Sequence, residues 1–158
     1  PMMILPQYSK GSAPAKVRAV LGKDPALARE ILSFTFVHNH LLWPSRINYW
    51  KVRDFWRDVE IPFGMGGARF HGWWENGIRS EPECVKASYC EKPEENDRLL
   101  AVANWSDTDV EARIALPSDF LEAREAVDME TGERIPLQAT LHLPVGDHDL
   151  RVLRVRRK

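Results

Sequence analysis

The stretch Gly146-Asp147-His148-Asp149-Leu150-Arg151-Val152-Leu153-Arg154-Val155 decides the fold. A Gly-Asp turn opens it, and a run follows in which Val152, Leu153 and Val155 alternate with arginines, the pattern of a closing strand with one solvated face. Working back from it, segments of the same kind occupy residues 70–74, 84–90, 99–105, 110–116, 123–129 and 139–143. Asn76-Gly77, Glu94-Glu95-Asn96-Asp97, Ser106-Asp107-Thr108-Asp109 and Thr131-Gly132 lie between them, supplying the residues that positive φ and Asx turns require. About seven short strands at this spacing predict a mainly β chain, an antiparallel β-sandwich. Val85, Ala87 and Tyr89 should share one face of their strand, and Val110, Ala112 and Ile114 one face of theirs.

The first third reads differently. Residues 2–8 form a short apolar run, and Asp24-Pro25 is a helix start, with Leu27, Ile31, Phe34 and Val37 on one face of a helix over residues 25–38. Pro44 forces extended geometry before it. Ser45 is then expected to cap a second helix over residues 46–57, with Ile47, Trp50 and Phe55 inward and Tyr49 and Trp56 flanking. Ile61-Pro62-Phe63-Gly64-Met65-Gly66-Gly67 reads as a crossing loop. The organisation expected is therefore a short α/β segment (1–61), a linker (62–69) and the sandwich (70–158).

With 158 residues, 22 Lys and Arg against 23 Asp and Glu and a formal charge of -1, no global field draws the chain to nucleic acid or to an anionic membrane. A complete (βα)8 barrel needs roughly 250 residues. No apolar run is long enough to span a bilayer, and the first residues lack the basic start and cleavage site of a signal peptide. Cys84 and Cys90 stand six residues apart in one strand, about 20 Å at 3.3 Å per residue, too far to pair. Nothing in the sequence calls for a cofactor.

Three stretches resemble the C-terminal region of (βα)8-barrel glycoside hydrolases, where a small antiparallel sandwich follows the last barrel helix. They are Leu99-Leu100-Ala101-Val102-Ala103-Asn104-Trp105-Ser106, then Ala126-Val127-Asp128-Met129-Glu130-Thr131-Gly132-Glu133, then the Leu143-Pro144 element that leads into the closing strand. Residues 2–8 and 36–44 would be late barrel strands. The resemblance implies a sandwich that supports a catalytic barrel, with the rest of a parent enzyme as partner. The portion that carries the family's catalytic carboxylates is not in this sequence, so no catalytic residue carries over.

The residues themselves offer a few candidates. Glycoside cleavage needs two carboxyl groups roughly 5 to 9.5 Å apart, whereas Glu94, Glu95, Asp97, Asp107, Asp109, Asp128, Glu130, Asp147 and Asp149 read as turn caps. His38 and His40, two apart in an extended segment, point the same way and can touch a sugar; two histidines without a third ligand make a poor metal site. Trp73 and Trp74 should lie on opposite faces of one strand beside His71. One is core, and the other is either a platform for a sugar ring or glue against the helix carrying Trp50 and Trp56. Asn104-Trp105-Ser106 matches a glycosylation acceptor. Apart from the supporting sandwich, the sequence is compatible with a carbohydrate-binding module or a structural interaction domain.

Overall fold

The computed structural model describes residues 24–40, 42 and 47–156, so the expectations for residues 2–8 and 43–46 fall outside it. Helix α1 spans Pro25–Phe36. Asp24 caps it by accepting from the N–H groups of Ala26 (2.9 Å) and Leu27 (3.3 Å), and Pro25 sits where a missing N–H costs nothing. Residues 36–40 are helix end and turn rather than a barrel strand, with Asn39 at φ 54.

Helix α2 spans Tyr49–Phe55, and its cap is Asn48, which accepts from the Lys51 N–H at 3.2 Å. Val52, Phe55, Val59 and Phe63 turn inward at helical spacing, and Ile47 is buried as expected. Trp50, expected inside, is 62% exposed because the same phase carries it to the outer side. The expected loop at residues 61–67 is helical at first: α2 runs through a π turn, Trp56–Glu60, into α3, Ile61–Phe63. Pro62 has no N–H for the carbonyl four residues back, and the widened turn before it accommodates the ring. Gly64, at φ 71, closes the helix with its N–H on the Glu60 carbonyl at 2.9 Å.

Nine strands follow: β1 Arg69–His71, β2 Arg79–Glu81, β3 Val85–Lys92, β4 Asp97–Asn104, β5 Val110–Ala115, β6 Glu125–Asp128, β7 Arg134–Pro136, β8 Thr140–Val145 and β9 Leu150–Arg156. The sequence pattern omits β2 and β7, polar three-residue edge strands that have too few apolar positions to alternate. A six-stranded sheet runs β1-β3-β4-β9-β6-β7 and a three-stranded sheet runs β2-β5-β8, every pairing antiparallel.

The sheets pack on each other through Val85, Ala87, Leu100, Val102, Leu153 and Val155 against Ala112, Ile114, Leu141, Leu143 and Val145. Strands β5 and β8 alternate strictly and leave their other face in water. The opposite face of the large sheet, through Leu99, Ala101, Ala103, Leu150 and Val152, is covered by Leu32, Val37, Val52, Phe55, Val59 and Phe63 of the helices. The molecule is thus helix on sheet on sheet. Strand β4 lies at the centre with both faces buried, which is why Leu99 to Ala103 reads as one unbroken apolar run.

Candidate functional site

Where the C-terminal end of α1 meets the edge of the large sheet, aromatic rings gather around His38. Phe34 lies 4.6 Å away between ring centres, Trp105 5.5 Å in a near-parallel stack, Trp74 5.8 Å and nearly parallel, and His40 5.9 Å. Trp73 stands edge-on at 6.3 Å. Lys86 of β3 places its ammonium 4.5 Å over the Trp73 ring and 5.9 Å from that of Trp105.

Hydrogen bonds assign the His38 tautomer. Nδ1 lies 2.7 Å from the Phe34 carbonyl, which can only accept, while Nε2 is 3.4 Å from the Trp73 indole Nε1–H, which can only donate. These contacts match the tautomer with a proton on Nδ1 and Nε2 as acceptor.

Trp73 and Trp74 do not occupy opposite faces of a strand. Strand β1 stops at His71, and both tryptophans lie in the turn beyond it with rings perpendicular at 5.8 Å. The Trp73 N–H donates to Ser88 Oγ at 3.0 Å, and Ser88 Oγ–H donates to the Val37 carbonyl at 2.7 Å. Trp73 is thus tied to the turn that ends α1, not to Trp50 or Trp56. Trp74 lies across Gly72: a Cβ there would stand 2.4 Å from Cζ2 and 2.6 Å from Cε2 and Cη2, distances so nearly equal that the point sits over the ring face. Only glycine admits that approach. Trp74 is 54% exposed.

Four of the five predicted site residues, His38, His40, Trp73 and Trp74, thus come together. His71 does not join them. It pairs with Tyr89 across β1 and β3 on the sandwich side, stacks on that ring at 4.4 Å, and meets Glu91 Oε1 at 2.8 Å. Sequence reasoning missed Phe34, Lys86 and Trp105 as members of the cluster. Lys86 carried a usable signal, since it alternates with the inward Val85 and Ala87; Trp105 was hidden in a motif read as a glycan acceptor. Among the described residues, His40 Nδ1 and Trp105 Nε1 are buried without a hydrogen-bond partner.

The motifs that looked most family-like are structural. Asn104 is fully buried: its Nδ2 donates to the Thr108 carbonyl (2.7 Å) and the Gly146 carbonyl (2.9 Å), and its Oδ1 accepts from Ser106 N–H (3.0 Å) and Ser106 Oγ–H (2.8 Å). It has no reach for a glycan. Asp128 Oδ1 caps its turn by accepting from the N–H groups of Glu130 (3.0 Å) and Thr131 (2.8 Å), while Oδ2 accepts from Arg151 Nε at 2.6 Å. Arg29 of α1 closes the set, reaching Asp149 (2.6 Å), Glu130 (2.7 Å) and the Leu150 carbonyl (2.8 Å). Asp97, expected at a turn, is instead a buried β4 residue paired with Arg154 and Arg156.

Two ionisable groups are perturbed without an opposite charge. Burial raises the Glu60 carboxyl above its ordinary range, and burial first, with the Glu60 charge second, pushes the Cys90 thiol up to about 12. A thiol held there is inert at neutral pH. Below the ordinary glutamate value the folded state bears no cost from Glu60; as pH rises through its raised value the carboxylate is charged in a half-buried place and stability falls. Glu60→Gln should therefore melt higher than the parent at pH 8 and alike at pH 4, and a gap that stays constant between the two would contradict this sign. Among the described residues, no group of three or more His, Cys, Asp and Glu is placed to hold a metal ion.

No protein-family model and no curated protein sequence matches the chain. Solved structures do. A GH27 β-L-arabinopyranosidase from Geobacillus stearothermophilus matches 84% of this chain and 30% of its own, with TM-score 0.58 and 13% identity. The α-galactosidase I from Mortierella vinacea matches 96% of this chain and 38% of its own, with TM-score 0.53 and 11% identity. An Anoxybacillus α-amylase matches 73% and 25%, with TM-score 0.50 and 7% identity. The likeness is one of fold, and this chain spans between a quarter and two fifths of the length of each of these glycoside hydrolases.

Proposed function

We propose that this chain is the C-terminal part of a glycoside hydrolase, its sandwich buttressing a catalytic barrel and its own residues performing no cleavage. One observation carries the reading: the outer side of the helical layer leaves three large apolar side chains uncovered. Tyr49, Trp50 and Ile61 are exposed there among the charged Lys51, Arg53 and Arg57, on helices whose other side packs against the sheet. The outer face of the small sheet instead presents Glu111, Arg113, Thr140 and His142 to water. Exposed apolar area of this kind marks a surface built to be covered. The likeness in fold to three glycoside hydrolases, each extending well beyond the matched part, supports a barrel as what covers it. In this reading the helical segment through Ile61 belongs with the barrel's last units and residues 70–158 form the supporting sandwich.

The commitments of the carboxylates agree with a non-catalytic role. Asp97 and Asp128 are held by arginines, and Glu91 and Asp119 both contact Arg98, at 3.6 and 2.5 Å, so a cation stands between them where a sugar would need to be. The isolated chain incubated with aryl glycosides should release no more aglycone than buffer alone. Robust turnover by this chain would overturn the assignment.

A further inference from the structure

We propose that Phe34, His38 and Trp74 form a surface strip that binds a neutral oligosaccharide, with Trp74 as the platform on which one pyranose face stacks. The inference goes beyond the supporting role and does not require it. Its first ground is the different fate of the two tryptophans. Trp73 is consumed by the fold: its backbone is bonded to Ser88, its indole N–H to His38, and its ring face to Lys86. Trp74 makes no such bonds. Its indole is laid flat on the backbone at Gly72 and bordered by His38 at 5.8 Å and nearly parallel, Phe70 tilted at 6.0 Å and Trp73 edge-on at 5.8 Å, yet it remains more than half exposed.

A fixed, exposed indole has lost its freedom of motion without gaining burial. That is the arrangement a stacking ligand rewards, since the ordering cost on the protein's side is already met. Phe34, 38% exposed, extends the surface through His38 by centre-to-centre steps of 4.6 and 5.8 Å, so the strip is longer than one sugar ring.

The second ground is the polar inventory beside it. His40 Nδ1 and Trp105 Nε1, on rings next to His38, are buried without partners, and groups of this kind are satisfied by an ordered water that relays to a ligand hydroxyl. The charge of the cluster narrows the class. Lys86 already occupies the π face of Trp73 with its ammonium, so a quaternary ammonium ligand would be repelled. A neutral ligand with an apolar face and hydroxyl edges, a sugar, fits what is left.

The test is titration of the intact chain with maltotriose, α-1,6-galactobiose and arabinotriose, read by tryptophan fluorescence and by the NMR shifts of the indole N–H groups, with a polyproline decapeptide as a further arm. At least one oligosaccharide should give a saturable shift. Trp74→Ala should weaken that binding tenfold or more with an unchanged melting temperature, while Trp73→Ala should lower the melting temperature. Failure of all three sugars to shift the spectra, binding that survives Trp74→Ala, capture of the polyproline peptide instead, or a Trp74→Ala melt depressed as far as that of Trp73→Ala would each overturn the proposal. None of these results bears on the aryl glycoside assay, so the two readings fail separately.

Discussion

Asp128→Ala is expected to cost about 3 kcal/mol of stability, the low end of what is lost when one member of a buried ion pair is removed. The carboxylate is 2% exposed and serves two elements at once: Oδ1 holds the turn at Glu130 and Thr131, and Oδ2 holds Arg151 on β9. Arg151 also reaches Glu133 at 2.8 Å and is partly exposed, so the orphaned guanidinium can lean outward; this keeps the loss from being larger. The pH dependence provides a second readout. Burial acts to raise the Asp128 carboxyl, but the hydrogen bond from Arg151, the Thr131 N–H and the Arg151 charge outweigh it and hold the group below the ordinary aspartate range. Its contribution is then present above the ordinary value of about 3.9 and disappears as pH falls through the lowered one. Urea melts at pH 7 and pH 3 should show the parent and Asp128→Ala converging in acid. Equal midpoints at pH 7 would refute the argument.

Asn104→Ala should be as damaging, by about 3 kcal/mol, although no charge is involved. Four hydrogen bonds vanish, and the carbonyls of Thr108 and Gly146 lose the amide donor that joins the two turns, each unsatisfied group costing about 1–3 kcal/mol. Asn104→Asp is the informative companion. It preserves the acceptor used by Ser106 but points a second oxygen at two carbonyls, so it should fall near Asn104→Ala rather than near the parent. Thermal melts of the three proteins compare them directly, and an aspartate variant as stable as the parent would show that the donor half of this amide does not matter.

Both predictions concern motifs whose resemblance to glycoside hydrolase sandwiches was evident in the primary structure, and the fold explains why these stretches are built as they are. Asn104 of the first binds Gly146, in the turn between β8, which carries Leu143-Pro144, and the closing strand; Arg151 of the closing strand binds Asp128 of the second; Arg29 of α1 grips Asp149, Leu150 and Glu130 together. They form one polar knot at one end of the sandwich. The residues that made the chain look like an enzyme are the ones that hold its layers in register.

The candidate site was half legible. His38, His40, Trp73 and Trp74 stood out as polar or aromatic residues without a periodic reason to be where they are, and they do converge. His71 misled because its neighbours in sequence are the tryptophans, yet β1 ends immediately after it and the chain then crosses to the other side of the sheet. Trp50 misled for a related reason. With Val52, Phe55 and Val59 turned inward, helical geometry places Trp50 on the opposite side, and the sequence alone does not say which apolar face of this helix is covered.

Local chemistry by itself determined much of this protein: the Asp24-Pro25 helix start, the alternation of β5 and β8, the Gly and Asn turns, and a mainly β antiparallel architecture all follow from forces acting over a few residues. Only the tertiary structure decided that β4 would be buried on both faces, that helices would cover one side of the large sheet, which of two adjacent tryptophans would face water, and that Arg29 would find Asp149 at 120 residues' distance. Those outcomes depend on strand order and helix phase, and both are settled by which apolar surfaces can be buried together, a condition that no single stretch of the chain contains.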